Sequence, residues 1–218
     1  MKSCTVFCAG EFDETVCPME ADELIIAADG GLRHLEKLNR TPTVILGDFD
    51  SLGYTPEGAR VFPVEKDDTD SMLALRHGLN MGCDRFILYG ALDGPRHDHT
   101  VANYQALAFL AQQGATGYLV GRDVIVTAIK NSKMVFPPLE EGIFSAFCLG
   151  GAAHGITLEG LQYPLQNGTL SSDFPLGVSN HFIGKEASVT VCDGTLLLFY
   201  PRKAGIVPCL QNPVITPL

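Results

Sequence analysis

The sequence predicts an open, mostly parallel α/β sheet domain followed by a small β-sandwich. Three observations carry that prediction. Over residues 1–130, apolar runs alternate with segments whose apolar residues recur at helical spacing, the pattern of strand–helix–strand units. Over residues 142–200, Gly, Asn, Ser and Pro recur at short intervals and no amphipathic helix is evident, which suits short antiparallel strands. Near the end of that stretch, Asp193-Gly194 separates two apolar runs, a two-residue hairpin signal.

Residues 4–9, 24–28 and 43–46 are largely apolar runs of strand length, expected in a sheet buried on both faces. Residues 31–39 place Leu32, Leu35 and Leu38 at helical spacing. A weak fourth strand falls at 61–64. A helix over 69–81 has Thr69 or Asp70 as its cap. A strand at 85–89, a helix over 98–113 ending at Gly114, and strands at 118–120 and 124–129 complete the first pattern. The division expected is 1–130 and 131–218, with the change of pattern across 131–141, where Pro137-Pro138 and two acids intervene. In the second half, short strands are expected at 143–148, 155–161, 168–171, 187–192 and 195–200.

Composition narrows the function. The chain has 218 residues, 46% hydrophobic and 18% charged, enough to bury a real core. Its formal charge of -10 lacks the basic footprint that nucleic acid requires, so no nucleic-acid partner is expected. A polyphosphate remains compatible if divalent cations stand between the charges. The seven cysteines are odd in number and form no CxxC pair, which reads as buried thiols in a reducing, cytoplasmic setting. No apolar run reaches membrane length, and the start is too short for a signal peptide, so no membrane association is expected.

The chemistry sits in the aspartates. Eleven of fourteen fall in the first hundred residues, and eight lie in ADGG (28–31), GDFDS (47–51), KDDTD (66–70) and LDGPRHDH (92–99). Each motif follows a predicted strand, and loops after strand carboxyl ends share one crevice in such a sheet. Two carboxylates ~5 Å apart repel by roughly 3 kcal/mol at an effective dielectric of ~20. A gathered set must therefore bind cations or raise its pKa values. All-oxygen donors beside a polyphosphate are a Mg2+ environment. Asp29-Gly30-Gly31 reads as a tight turn, or as glycines that admit a phosphate to a helix N-terminus. Asp48 and Asp50 straddle Phe49, so they converge only if the strand has ended; an Asx-turn is the plainer alternative. Asp67, Asp68 and Asp70 suit a helix start, whereas Lys66 there is out of place and suggests a nearby anion. Arg96, Asp98, His99 and Asn103 mix cation, acid and amide at a loop–helix junction, with His99 and Asn103 on one helical face. His97 reads as a solvated loop residue, and Gly177-Val178-Ser179-Asn180 as a turn. Neither GxxxxGK[ST] nor GxGxxG is present, so an ATP site needs another architecture.

ADGG, GDFDS, KDDTD, GPRHDHTVAN and GVSNHF, in this order, resemble the motif series of bacterial thiamine pyrophosphokinases from about residue 4 to residue 200. The resemblance implies transfer of pyrophosphate from ATP to the thiamine hydroxyl, with AMP leaving and Mg2+ as cofactor. It implies an α/β catalytic domain, a C-terminal β-sandwich that binds thiamine, and a homodimer whose sites are completed across the interface. Asp48, Asp50, Asp70 and Asp67 are then metal and phosphate-site acids, and Asp98 and Asp70 are candidate bases if their pKa values are raised. Asp29, Gly30, Gly31, Ser51, Lys66, Thr69, Arg96, His99 and Asn103 take the ATP side. Ser179 and Asn180 match the thiamine-contacting pair. This sequence departs from the pattern in having no tryptophan, which leaves Phe182 as the candidate ring for thiamine, and in Asp93 and Pro95 beside the arginine motif. Two other readings of the acids are a Mg2+-dependent phosphohydrolase with Asp48 or Asp50 as nucleophile, and a non-catalytic nucleotide or thiamine diphosphate sensor. Gly53, where the phosphohydrolase loop has threonine or valine, speaks against the first.

Overall fold

The computed structural model describes residues 2–13, 24–63, 67–202 and 215–217. The chain forms two compact units. The first comprises Met1–Ala106 and Gly114–Arg122, the second Leu107–Gln113 and Asp123–Leu218.

Among its described residues, the first unit holds six parallel strands: β1 (Ser3–Phe7), β2 (Leu24–Ala28), β3 (Val44–Gly47), β4 (Arg60–Val61), β5 (Arg85–Tyr89) and β6 (Thr116–Val120). Their order across the sheet is β6-β5-β1-β2-β3-β4, with every pairing parallel. The chain therefore steps outward from β1 through β4 and then crosses to the other side of β1 for β5. That reversal opens a crevice beyond the carboxyl ends of β1 and β5. β5 is buried throughout, which is why its sequence, RFILY, shows no alternation.

Among the described residues, three helices connect the strands: α1 (Leu32–Lys37), α2 (Asp70–Asn80) and α3 (His97–Gln112). The first is shorter than its leucine spacing suggests, because Asp29–Gly31 forms a 3-10 turn ahead of it. Leu32 and Leu35 are its buried contacts. Thr69 caps α2, its hydroxyl accepting from Met72 N at 3.2 Å, as the sequence predicts. α2 lies close on the sheet at Gly78, where a Cβ would stand 2.5 Å from the Phe86 ring.

The second unit is all antiparallel: β7 (Val124–Lys130), β8 (Ser132–Phe136), β9 (Ile143–Glu159), β10 (Leu165–Ser171), β11 (Asn180–His181), β12 (Ala187–Thr190), β13 (Asp193–Pro201) and β14 (Ile215–Pro217). Two sequence expectations are corrected here. The strands expected at 143–148 and 155–161 are one strand of 17 residues, β9. It turns at Gly150 and Gly151, both at positive φ (81° and 88°). Ahead of the turn it pairs with β11 and, along 145–149, with β13; beyond it, with β10 and β12 and, at His154, again with β13 after a register shift. A long strand that bends at glycines can take up further partners beyond the bend. Second, Asp193-Gly194 closes no hairpin: β9 stands between β12 and β13. Gly194 instead exchanges bonds with Asn131, donating to its Oδ1 at 2.9 Å and accepting from its N at 3.2 Å. Phe136, Phe144, Phe182 and Tyr200 form the aromatic core, with edge-to-face centroid separations of 5.1 to 6.0 Å.

Candidate active site

Beyond the carboxyl ends of the parallel strands lies a cavity of about 580 Å³, lined by residues of the loops after β1, β2, β3 and β5 and by the first turns of α2 and α3. Nine of the residues singled out in the sequence line it: Asp29, Asp48, Asp50, Ser51, Thr69, Asp70, Arg96, His99 and Asn103. Gly30, Gly31, Asp67 and Asp98 do not, and Lys66 lies outside the described residues.

The loop after β2 shows what the glycines do. A Cβ on Gly31 would stand 1.9 Å from the Phe7 carbonyl oxygen. Only glycine lets the 3-10 turn sit against the end of β1. That close approach carries Asp29, at φ 47°, to the cavity wall. Its Oδ2 accepts from Ser51 Oγ at 2.5 Å. Its Oδ1 is buried and has no hydrogen-bond partner among the described residues.

Phe49 decides the geometry of GDFDS. It adopts the left-handed conformation (φ 61°) and is buried at 3% exposure. This conformation is unfavourable for a non-glycine residue by about 1–2 kcal/mol, which burial of a phenyl ring offsets. With Phe49 turned inward, Asp48 and Asp50 converge. Their carboxylates and that of Asp29 bring one oxygen each to within 4.8 Å of one another. An Asx-type contact from Asp50 N to Asp48 Oδ1, 3.3 Å, accompanies this arrangement. The donor set is three hard oxygens, one of them on a carboxylate with a partnerless buried atom, and it fits a Mg2+ ion.

Among the described lining residues, five carboxylates (Asp29, Asp48, Asp50, Asp70, Asp93) face one guanidinium, that of Arg96. Arg96 binds Asp98 through both Nε (2.9 Å) and Nη2 (2.8 Å). This hydrogen bond holds the Asp98 carboxyl well below the usual carboxylate range, further helped by the His99 backbone N–H. A base needs its pKa raised toward neutrality; that of Asp98 is moved the other way. Cys8 also lines the cavity. Burial, with the Asp70 charge adding to it, pushes its thiol up to about 12, so it stays protonated and unreactive at neutral pH.

Ser71, Cys8, Asp93 and Thr100 line the cavity without having been singled out as site residues. Asp93 ties loops together. Its carbonyl accepts from Glu11 N (3.0 Å) and its Oδ2 from Arg122 N (3.0 Å), joining the loops after β1, β5 and β6. The contact with Arg122 N depends on this side chain. Its position beside the arginine motif was the available signal.

Two family models match the chain. The catalytic domain of thiamin pyrophosphokinase matches residues 18–119, and the vitamin B1 binding domain of thiamin pyrophosphokinase matches residues 133–196. The chain belongs to the thiamine pyrophosphokinase family. Over 193 residues it is 28% identical to the thiamine pyrophosphokinase of Bacillus subtilis (strain 168), an alignment covering 80% of this chain and 86% of that one. Its fold is that of the crystal structures of thiamine pyrophosphokinase from B. subtilis and from Geobacillus thermodenitrificans. The TM-scores are 0.80 and 0.75 at 23% identity, covering 93% and 95% of this chain and all of each of those.

Within this family member the remaining singled-out residues lie in the β unit. Ser179 is exposed, at φ 61°. Asn180 is 5% exposed and grips the backbone of Tyr163: its Nδ2 donates to Tyr163 O at 2.7 Å, and its Oδ1 accepts from Tyr163 N and His181 N, both at 2.9 Å. Among the described residues, its second Nδ2 hydrogen makes no bond. Phe182 is a correction. It is 3% exposed within the aromatic core and offers no face to a substrate, because alternation along the chain from Asn180 sends its ring inward. The exposed ring beside Asn180 is Tyr163, at 59%. Asp67, expected among the metal acids, is exposed and outside the cavity, while its neighbour Asp68 pairs with Arg76 at 3.0 Å.

Proposed function

We infer that this chain is a thiamine diphosphokinase, transferring pyrophosphate from ATP to the hydroxyl of thiamine to give thiamine diphosphate and AMP. The observation that carries the reading at the site is the convergence of Asp29, Asp48 and Asp50, with a partnerless buried oxygen, in a cavity large enough for a nucleotide. Five carboxylates repel a polyphosphate, so the reading requires Mg2+ between them. Asp48 and Asp50 would hold it, and Asp29 joins them in place of Asp67. When bound, the ion neutralises phosphate charge and aligns the transferring group. Asp70 enters the same cavity from the α2 N-terminus and is the carboxylate assigned to receive the thiamine hydroxyl proton. Asp98, paired and acidified, instead orients Arg96, whose unused guanidinium N–H groups face phosphate oxygens. His99, Thr69 and Asn103 supply further contacts to ATP. Gly30 and Gly31 shape the turn that places Asp29, and Ser51 fixes its carboxylate.

The α/β unit is assigned the nucleotide and metal, and residues 131–218 the thiamine. Ser179 offers a hydroxyl to the aminopyrimidine, and Asn180 a single N–H together with the placement of Tyr163. An aromatic face suits a thiazolium cation. The protein acts as a homodimer in which the β unit of one subunit completes the partner's site. Exposed Phe174, Leu176, Val178 and Ile183, strung along the segment that carries Ser179, support an apolar contact there. No helix among the described residues is long and apolar enough to cross a membrane, and a cytoplasmic location accords with thiols that form no disulfide among the described residues.

The test is incubation with ATP, Mg2+ and thiamine followed by chromatography. AMP and thiamine diphosphate should appear in equal amounts, and neither should form with Asp50→Asn. ADP with thiamine monophosphate, or phosphate release without thiamine, would overturn the assignment.

A further inference from the structure

We propose that Ser71 is a positioning residue for nucleotide binding: it sets the amide of Asn103 so that one N–H is presented to the cavity. The proposal rests on reading that cavity as the ATP site. Its starting point is one backbone carbonyl. Ala91 O can only accept, and Asn103 Nδ2 lies 2.7 Å from it, so the amide nitrogen must face Ala91. Asn103 Oδ1 then faces Ser71 Oγ at 2.8 Å, and the serine hydroxyl must donate. With that proton committed, Ser71 Oγ accepts from Thr69 Oγ1 at 3.0 Å, and Thr69 Oγ1 accepts from Met72 N. A single carbonyl thus orders the direction of every bond in the chain.

Three elements meet in this network: the α2 cap, the first turns of α3, and the loop after β5. Asn103 is 6% exposed, so its Oδ1 has little access to water if Ser71 is lost. Asn103, Ser71 and Thr69 all line the cavity. The second Nδ2 hydrogen of Asn103 makes no bond within the described residues. It is the donor left for an acceptor atom of the nucleotide; Ala91 O holds the amide at Nδ2 and Ser71 holds it at Oδ1, so that loss of Ser71 leaves the amide held at one end and free to swing.

The experiment compares Ser71→Ala, Ser71→Thr and Asn103→Ala with the wild type. Ser71→Ala should raise KM for ATP about tenfold, the scale of one lost buried hydrogen bond, with KM for thiamine unchanged. Ser71→Thr keeps the hydroxyl and should restore the wild-type KM. In an Asn103→Ala background, Ser71→Ala should change KM no further. In 15N spectra, the Asn103 side-chain amide pair should move and exchange faster with water in Ser71→Ala. Equal changes in both KM values, a further loss in the Asn103→Ala background, or no rescue by threonine would each overturn the proposal. If the wild type forms no thiamine diphosphate, it is the functional reading that falls; the amide signals then decide separately whether Ser71 sets Asn103.

Discussion

Replacing Asp29 by Asn should make the metal-free protein more stable while destroying its activity. The three carboxylates of Asp29, Asp48 and Asp50 have oxygens within 4.8 Å of one another. At that distance each pair of charges repels by about 3.5 kcal/mol at an effective dielectric of ~20. Asn at position 29 removes two of the three pairs and keeps an oxygen for the Ser51 hydroxyl. Asp50 is exposed and Asp48 half-buried, so solvent screening leaves roughly a fifth to a quarter of that sum, about 1–2 kcal/mol. For a chain of this size, that raises Tm by about 2–8 °C. The assay is thermal unfolding in EDTA and in excess Mg2+, alongside turnover. Wild type should gain stability from Mg2+, and Asp29→Asn should start higher, gain little and turn over poorly. A variant that is destabilised in EDTA, or that retains both the Mg2+ shift and activity, would refute the carboxylate-cluster reasoning.

The Cys8 thiol, pushed up to about 12, should resist alkylation at pH 8 in the folded protein, while exposed Cys192 reacts; mass mapping of modified cysteines checks this, and early labelling of Cys8 would contradict its burial beside Asp70. Since a raised thiol pKa removes the thiolate below that value, labelling of Cys8 should climb only in strong alkali or on unfolding. Mixing inactive Asp50→Asn and Asn180→Ala subunits should restore part of the activity, because one site per heterodimer is then intact; formed heterodimers with no activity would place each site within one chain or leave Asn180 without a part in it. Tyr163→Ala should raise KM for thiamine about tenfold or more at unchanged KM for ATP, as expected for a lost cation–aromatic contact, and Tyr163→Phe should not; equal losses in both would return Asn180 to direct contact alone.

Some of this protein is local chemistry and was legible in its sequence. Strands buried on both faces need continuous apolar residues, so LIIAA and RFILY announce β2 and β5 with the bounds that the fold has. A helix start needs an acceptor for its free N–H groups, so Thr69 announces α2. Because strand carboxyl ends share one edge of a parallel sheet, the motifs following β2, β3 and β5 could be assigned to one crevice from their order along the chain. The β unit was less legible for a physical reason. Asp193-Gly194 has hairpin chemistry, yet β9 lies between the strands it joins, and strand partners are chosen by long-range packing that no dipeptide encodes. Phe182 shows the same limit: its type suits a ligand, and only the packing of Phe136 and Phe144 against it consigns it to the core. At the catalytic end, the sequence determined which carboxylates gather. The tertiary structure decided which three meet, because the inward turn of Phe49 and the contact of Gly31 with the end of β1 bring Asp48, Asp50 and Asp29 together while Asp67 stays outside. It alone decided the direction of the Asn103 amide, since that follows from a carbonyl on a different strand's loop.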